Sequence, residues 1–164
     1  MSELHQVDYQ SPIGVVEIIG KAEGIMSIFF SERDTATHPL QPDTPQVLQD
    51  CLREIEEYFK GERIEFTVPY ITEGTEFQNR VWSALTEIPY AETVSYRDIA
   101  IAVGSEKAVR AVGNANSKNK ISIIVPCHRI IGSNGRLTGY AGGLSRKEWL
   151  IQHEKTFISW PEQL

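Results

Sequence analysis

Ile121-Ser122-Ile123-Ile124-Val125-Pro126-Cys127-His128-Arg129-Ile130 is the stretch on which the reading of this chain turns. Its β-branched apolar run predicts a strand, and the Pro126 turn is expected to deliver the Cys127 sulfur to a rim rather than a core. A thiol becomes a strong nucleophile as the thiolate, which a neighbouring proton acceptor and a positive charge favour. His128 and Arg129 place one of each beside the sulfur. Gly132, Gly135, Gly139, Gly142 and Gly143 then fall within twelve residues. Such density means tight turns or a backbone that approaches a ligand closely. Leu144 to Glu154 closes as a helix, with Trp149 and Leu150 inward.

Upstream of this stretch the pattern is helical. Thr75 caps a helix carrying Phe77, Val81, Trp82, Leu85 and Ile88, closed by Pro89. Ser95 caps a second, with Asp98 standing in for the Glu of a capping box. Gly104-Ser105 breaks it, and Ser105 is expected to cap a third helix carrying Ala108, Val109, Ala111 and Val112. Helix, glycine turn and small-residue helix over 95–115 fit a helix-turn-helix, and equally an ordinary helical hairpin in a core.

The N-terminal half reads differently. Val7 to Gln10, Gly14 to Ile19 and Ile25 to Phe30 predict short strands separated by turns. Val47, Leu48, Cys51, Leu52, Ile55, Tyr58 and Phe59 recur at helical spacing, and Gly61 stops that helix. Cys51 lies on the apolar stripe and reads as core packing. The connector 62–74, with Pro69 inside it, places a domain boundary between 1–73 and 74–164. The fold class is mixed α+β: a small sheet-plus-helix domain, then a mostly helical domain with the cysteine.

The chain has 164 residues, 41% of them hydrophobic, and a net charge of −6. Residues 1–73 carry 5 Lys+Arg against 14 Asp+Glu, whereas 97–147 carry 9 against 2. A basic segment on an acidic carrier is the footprint of a polyanion site confined to one face, or a chance clustering of solvated charges. Two cysteines build neither a disulfide framework nor a zinc cluster. No apolar run is long enough for a membrane span and the N-terminus carries no secretory pattern, so a reduced, cytoplasmic protein is expected.

In order and spacing, the motifs resemble those of the O6-alkylguanine-DNA alkyltransferases, also called methylated-DNA–protein-cysteine methyltransferases. The matching text runs through Thr75-Glu-Phe-Gln-Asn-Arg-Val-Trp82, Ile88-Pro89, Ser95-Tyr96, Arg110-Ala-Val-Gly113 and Asn119. It continues through Ile124 to Ile130, Gly139-Tyr-Ala-Gly-Gly143 and Lys147-Glu-Trp-Leu-Ile-Gln-His-Glu154. The resemblance covers roughly residues 75–155. It implies direct reversal of DNA damage, in which the alkyl group of O6-alkylguanine in duplex DNA moves irreversibly to Cys127 after the nucleotide is flipped. O4-alkylthymine stays open as a second substrate.

The resemblance also assigns roles. Cys127 is the acceptor, His128 takes the thiol proton through a water, and Glu154 orients His128. Tyr96 donates to N3 of the leaving guanine, which departs poorly unless protonated or hydrogen-bonded. Arg110 enters the stack in place of the flipped base. Asn119 ties the two helices of the helix-turn-helix to the active-site strand, and the backbone at Cys127 and Ile130 meets the guanine edge. Phe77, Arg97, Ser105 and Ser133 approach DNA, and Tyr140 helps set the width of the alkyl site. The second helix enters the minor groove. The protein is expected to act as a monomer, with no cofactor, no metal, no membrane and no obligate protein partner.

Some relatives hold zinc in the N-terminal domain, but here that half has only Cys51, His5 and His38. Asn114 and Asn116 stand where small or apolar residues also occur, and are expected to alter groove contacts. A non-catalytic lesion-recognition module would lack the cysteine. A thiol hydrolase would bring its histidine from far along the chain. A helix-turn-helix regulator leaves the cysteine motif unexplained.

Overall fold

The computed structural model describes residues 3–158. It divides into two compact units, Met1–Thr72 and Glu73–Leu164. In the first, β1 (His5–Ser11), β2 (Gly14–Lys21) and β3 (Gly24–Phe30) form an antiparallel sheet in the order β1-β2-β3. Both connections are tight, with Ser11 opposite Gly14 and Lys21 opposite Gly24. A bulge at Ile19/Gly20 brings two backbones together, and a Cβ on Gly20 would stand 2.7 Å from the Gly24 carbonyl oxygen. Only glycine fits there. Helix α1 (Gln46–Phe59) packs on the sheet through Val47, Leu48, Cys51, Ile55, Tyr58 and Phe59. Cys51 is a core residue, and burial pushes its thiol far above the ordinary range.

A polar latch closes this unit. The Asp8 carboxylate accepts from Arg33 Nη2 at 2.9 Å, Thr37 N at 2.9 Å, His38 N at 3.0 Å and Gln6 Nε2 at 3.0 Å. One buried carboxylate thus holds the first part of the loop after β3, from Arg33 to His38. The side chain of Asp8 is inaccessible to solvent, a position a charge tolerates only with partners of this kind.

The second unit is helical. In α2 (Glu76–Thr86), Thr75 and Gln78 form a reciprocal capping box. In α3 (Tyr96–Ala102), Ser95 and Asp98 form another. The Trp82 indole donates to the Ala115 carbonyl at 2.8 Å and pins α2 to α4 (Val109–Ser117). Two short parallel strands, β4 (Val94–Ser95) and β5 (Ile130–Ile131), join the start of α3 to the cysteine segment. Helix α5 (Leu144–Phe157) completes the unit.

Two sequence expectations fail here. Ser105 does not cap α4, which starts at Val109 after Ala108 with no side-chain cap. Ser105 N donates to Ala100 O at 2.9 Å and Gly104 N to Ile101 O at 3.0 Å, with Gly104 at φ +86°. That is a Schellman motif, so Ser105 belongs to the end of α3. Residues 121–125 form no strand either. They coil through bonds from Ile124 N to Ser122 O (2.8 Å), Val125 N to Ile121 O (3.0 Å) and Cys127 N to Val125 O (2.8 Å). Ile123 adopts φ +74°, costly for a β-branched residue. Asn119 supplies the bonds a neighbouring strand would have made. Its Nδ2 donates to Val125 O at 2.9 Å, and its Oδ1 accepts from Ile121 N at 3.0 Å.

Candidate active site

Cys127 opens a single 3-10 turn, Cys127–Arg129, closed by a bond from Arg129 N to Pro126 O at 2.9 Å. The turn is buried: Cys127 is 3% exposed and His128 fully enclosed. The expected rim position is therefore wrong. Pro126 ends the coil inside the unit, where every residue from Ile121 to Ile130 is buried.

Glu154 organises the polar side of the turn. Its Oε2 lies 2.6 Å from His128 Nε2 and 3.1 Å from Arg129 Nη2. Its Oε1 accepts from Arg129 Nε at 2.8 Å and from Ala91 N at 3.1 Å. Burial disfavours the charged carboxyl, but His128 and Arg129 outweigh that and hold it well below the ordinary carboxylate range. An ionised carboxylate only accepts, so His128 carries its proton on Nε2. Nδ1 is left as the acceptor, and makes no hydrogen bond to a protein group among the described residues. Burial lowers the proton affinity of His128, Glu154 raises it, and Arg129 and Lys147 lower it again.

The cation that acts on the sulfur is not the adjacent one. Arg129 is committed to Glu154 and to Ile88 O, 2.8 Å away. Lys147, fully enclosed, acts on the thiol from α5, where its Nζ donates to Thr138 O at 2.6 Å. Burial brings Lys147 down to about 8, with Cys127 acting in the opposite direction. Burial pushes the Cys127 thiol up, whereas the Asn119 amide and Lys147 pull it down. Sequence reading missed Lys147. The signal was a lysine seven residues before Glu154, two helical turns away, flanking Leu150 and Ile151 on the same buried face.

Thr138 also links this cluster to Tyr96. Its Oγ1 donates to Tyr96 Oη at 2.9 Å, which leaves the tyrosine proton free to point elsewhere. The Tyr140 hydroxyl is pushed well above the ordinary tyrosine range by burial, and further by charge at Cys127. Asn116, expected at the groove surface, is instead buried, with Nδ2 3.5 Å from Cys127 O.

The structure thus gathers Cys127, His128, Glu154, Asn119 and Tyr140, and reaches Tyr96 through Thr138. Ile130 is fully enclosed behind them. Arg110, Ser105 and Ser133 stay exposed, and Phe77 is half-buried on α2. Arg97 is exposed and pairs with Glu106.

Residues 76–156 match the DNA-binding domain of 6-O-methylguanine DNA methyltransferase, and residues 6–70 match the ribonuclease-like domain of the same family. The chain belongs to the 6-O-methylguanine DNA methyltransferase family. It is 46% identical over 148 residues to the methylated-DNA–protein-cysteine methyltransferase of Methanosarcina acetivorans, covering 89% of this chain and 95% of that relative. It is 44% identical over 161 residues to the constitutive enzyme of Bacillus subtilis, covering 94% and 96%. A crystal structure of the Mycobacterium tuberculosis protein in complex with DNA superposes with a TM-score of 0.83 at 43% identity, covering 93% of this chain and 94% of that one. The mixed α+β fold of the family is therefore the fold of this chain. Among the described residues, no helix is long and apolar enough to cross a membrane.

Proposed function

We propose that this member of the family repairs DNA by moving the alkyl group of O6-alkylguanine onto its own Cys127. The observation that carries the residue assignment is the buried pair His128–Glu154 beside a buried cysteine, with Nδ1 of His128 left as an acceptor. The thiol proton passes to Nδ1 through a bridging water. Sulfur attacks the O6-alkyl carbon, a C–S bond forms, the C–O bond breaks, and its electron pair stays on the purine. Tyr96, whose oxygen already accepts from Thr138, gives its proton or a hydrogen bond to N3 of the departing guanine.

A buried sulfur cannot reach a stacked base, so the nucleotide swings out of the duplex. Helix α4 lies in the minor groove, and exposed Arg110 fills the gap in the stack. Phe77, Arg97, Ser105 and Ser133 contact the DNA around it. Most affinity comes from phosphates and falls with salt. The protein works as a monomer. A thioether has no easy route back to a thiol, so each molecule acts once.

Cys127→Ala tests this division of labour. The variant should transfer no methyl group from an O6-methylguanine duplex, while binding that duplex as tightly as the parent in a gel-shift titration. Loss of binding along with transfer would count against a purely chemical role for the sulfur.

A further inference from the structure

His128 and Arg129 are neighbours in one turn, and both reach the same carboxylate across 25 or more residues of chain. Arg129 takes the larger share. Its Nε and Nη2 engage both oxygens of Glu154, at 2.8 and 3.1 Å, and His128 engages one. The guanidinium is fixed on its other sides as well. Nη1 donates to Ile88 O at 2.8 Å, and the Tyr90 ring lies 5.6 Å from the guanidinium carbon. Ala91, at φ +70°, turns its N–H onto Glu154 Oε1. A non-glycine residue keeps that conformation only where its surroundings enforce it.

A buried carboxylate must be neutralised. With His128 as its only partner, Glu154 would draw a second proton onto the imidazole, and an imidazolium has no lone pair at Nδ1. Arginine stays charged at any physiological pH and matches a carboxylate bidentately. With Arg129 in place, the carboxylate is satisfied without a charged histidine.

We infer that Arg129 is a positioning residue for the transfer: by neutralising Glu154 it keeps His128 a neutral imidazole whose Nδ1 can accept the Cys127 proton. The inference rests on the proposed role of His128 as proton acceptor. Among the described residues, three charged groups act on His128. Glu154 and Lys147 act from α5, and Arg129 from the turn itself. Of the other helices at the turn, α2 buries Val81, Trp82 and Leu85 and α4 meets Cys127 O with Asn116, none of them titratable. Burial, Arg129 and Lys147 all favour the neutral ring, and Glu154 opposes them.

The test is an imidazole NMR titration of His128 in the full chain, alongside the pH profile of single-turnover methyl transfer. In the parent protein His128 should be neutral, with its proton on Nε2, at about pH 7. In Arg129→Gln it should titrate at higher pH, and the acid limb of the rate profile should move up with it. A shift of about one pH unit makes transfer roughly fivefold slower where the parent runs at half its plateau. Arg129→Lys keeps the charge and should titrate like the parent. A parent His128 doubly protonated at neutral pH would overturn the inference, and this measurement stands even if Arg129→Gln does not fold. So would a folded Arg129→Gln with an unmoved titration, since a merely structural arginine would lower stability and nothing else. A neutral His128 in a protein that takes no methyl group would uphold the electrostatic assignment while refuting the transfer.

Discussion

Lys147 shows what a single buried charge does at this site. Its ammonium is enclosed, bonded to Thr138 O, and placed where it favours the Cys127 thiolate. Burial brings it from 10.5 to about 8. Between those values the unfolded chain binds a proton that the folded chain has released, so this group makes stability rise with pH across that window. Below about pH 8 the folded protein carries the full cost of a buried cation, up to about 3 kcal/mol. Lys147→Met should therefore gain most over the parent at pH 7, and the gain should shrink by pH 10.5, as read by urea unfolding at both pH values. The same variant should transfer methyl more slowly, because the thiolate has lost its cation. A stability difference independent of pH would show that the ammonium is not held charged in the interior.

At the scale of elements, the caps carry the architecture around the site. Ser95 and Asp98 form a reciprocal capping box at the start of α3, and β4 ties that start to β5 beside the cysteine turn. Ser95→Ala should cost about 1 kcal/mol in denaturant unfolding. It should also slow transfer, because Tyr96 is the first residue of the helix it caps. An unchanged unfolding midpoint would deny the cap its role. Caps and turns were legible in the sequence because their chemistry is local: Thr75 before α2, Ser95 with Asp98, Gly61 after α1. Ile121 to Val125 was not, because β propensity assumes a partner strand and Asn119 takes that strand's place. Ser105 was misread because the glycine turn before it completes the end of α3 instead. The link from His128 to Glu154 came from family resemblance alone, since only the fold brings residues 26 apart to 2.6 Å. Lys147 escaped notice because the apolar pattern of α5 directed attention to Leu150.

At the scale of the molecule, a buried carboxylate fastens a loop or turn in each unit. Asp8 holds the loop after β3 in the first, and Glu154 holds the cysteine turn in the second. Burial disfavours the charge of both, and their hydrogen-bonded partners still bring both below the ordinary range. Their contribution is present above the unfolded values, at roughly pH 4, and is lost as the pH falls through the folded values. Thermal stability should therefore fall steeply on the acid side. Asp8→Asn should be less stable at pH 7, with a shallower loss between about pH 5 and pH 2. An acid limb identical to the parent's would remove Asp8 from this role.

In the proposed reaction Cys127 accepts the alkyl group and keeps it. Intact-mass measurement after incubation with excess O6-methylguanine duplex, followed by peptide mapping, tests it most directly. One methyl group per protein molecule, on Cys127, with an equal amount of guanine restored in the DNA, is the expected result. Repeated turnover, a methyl group on another residue, or restored guanine with no gain in protein mass would contradict it.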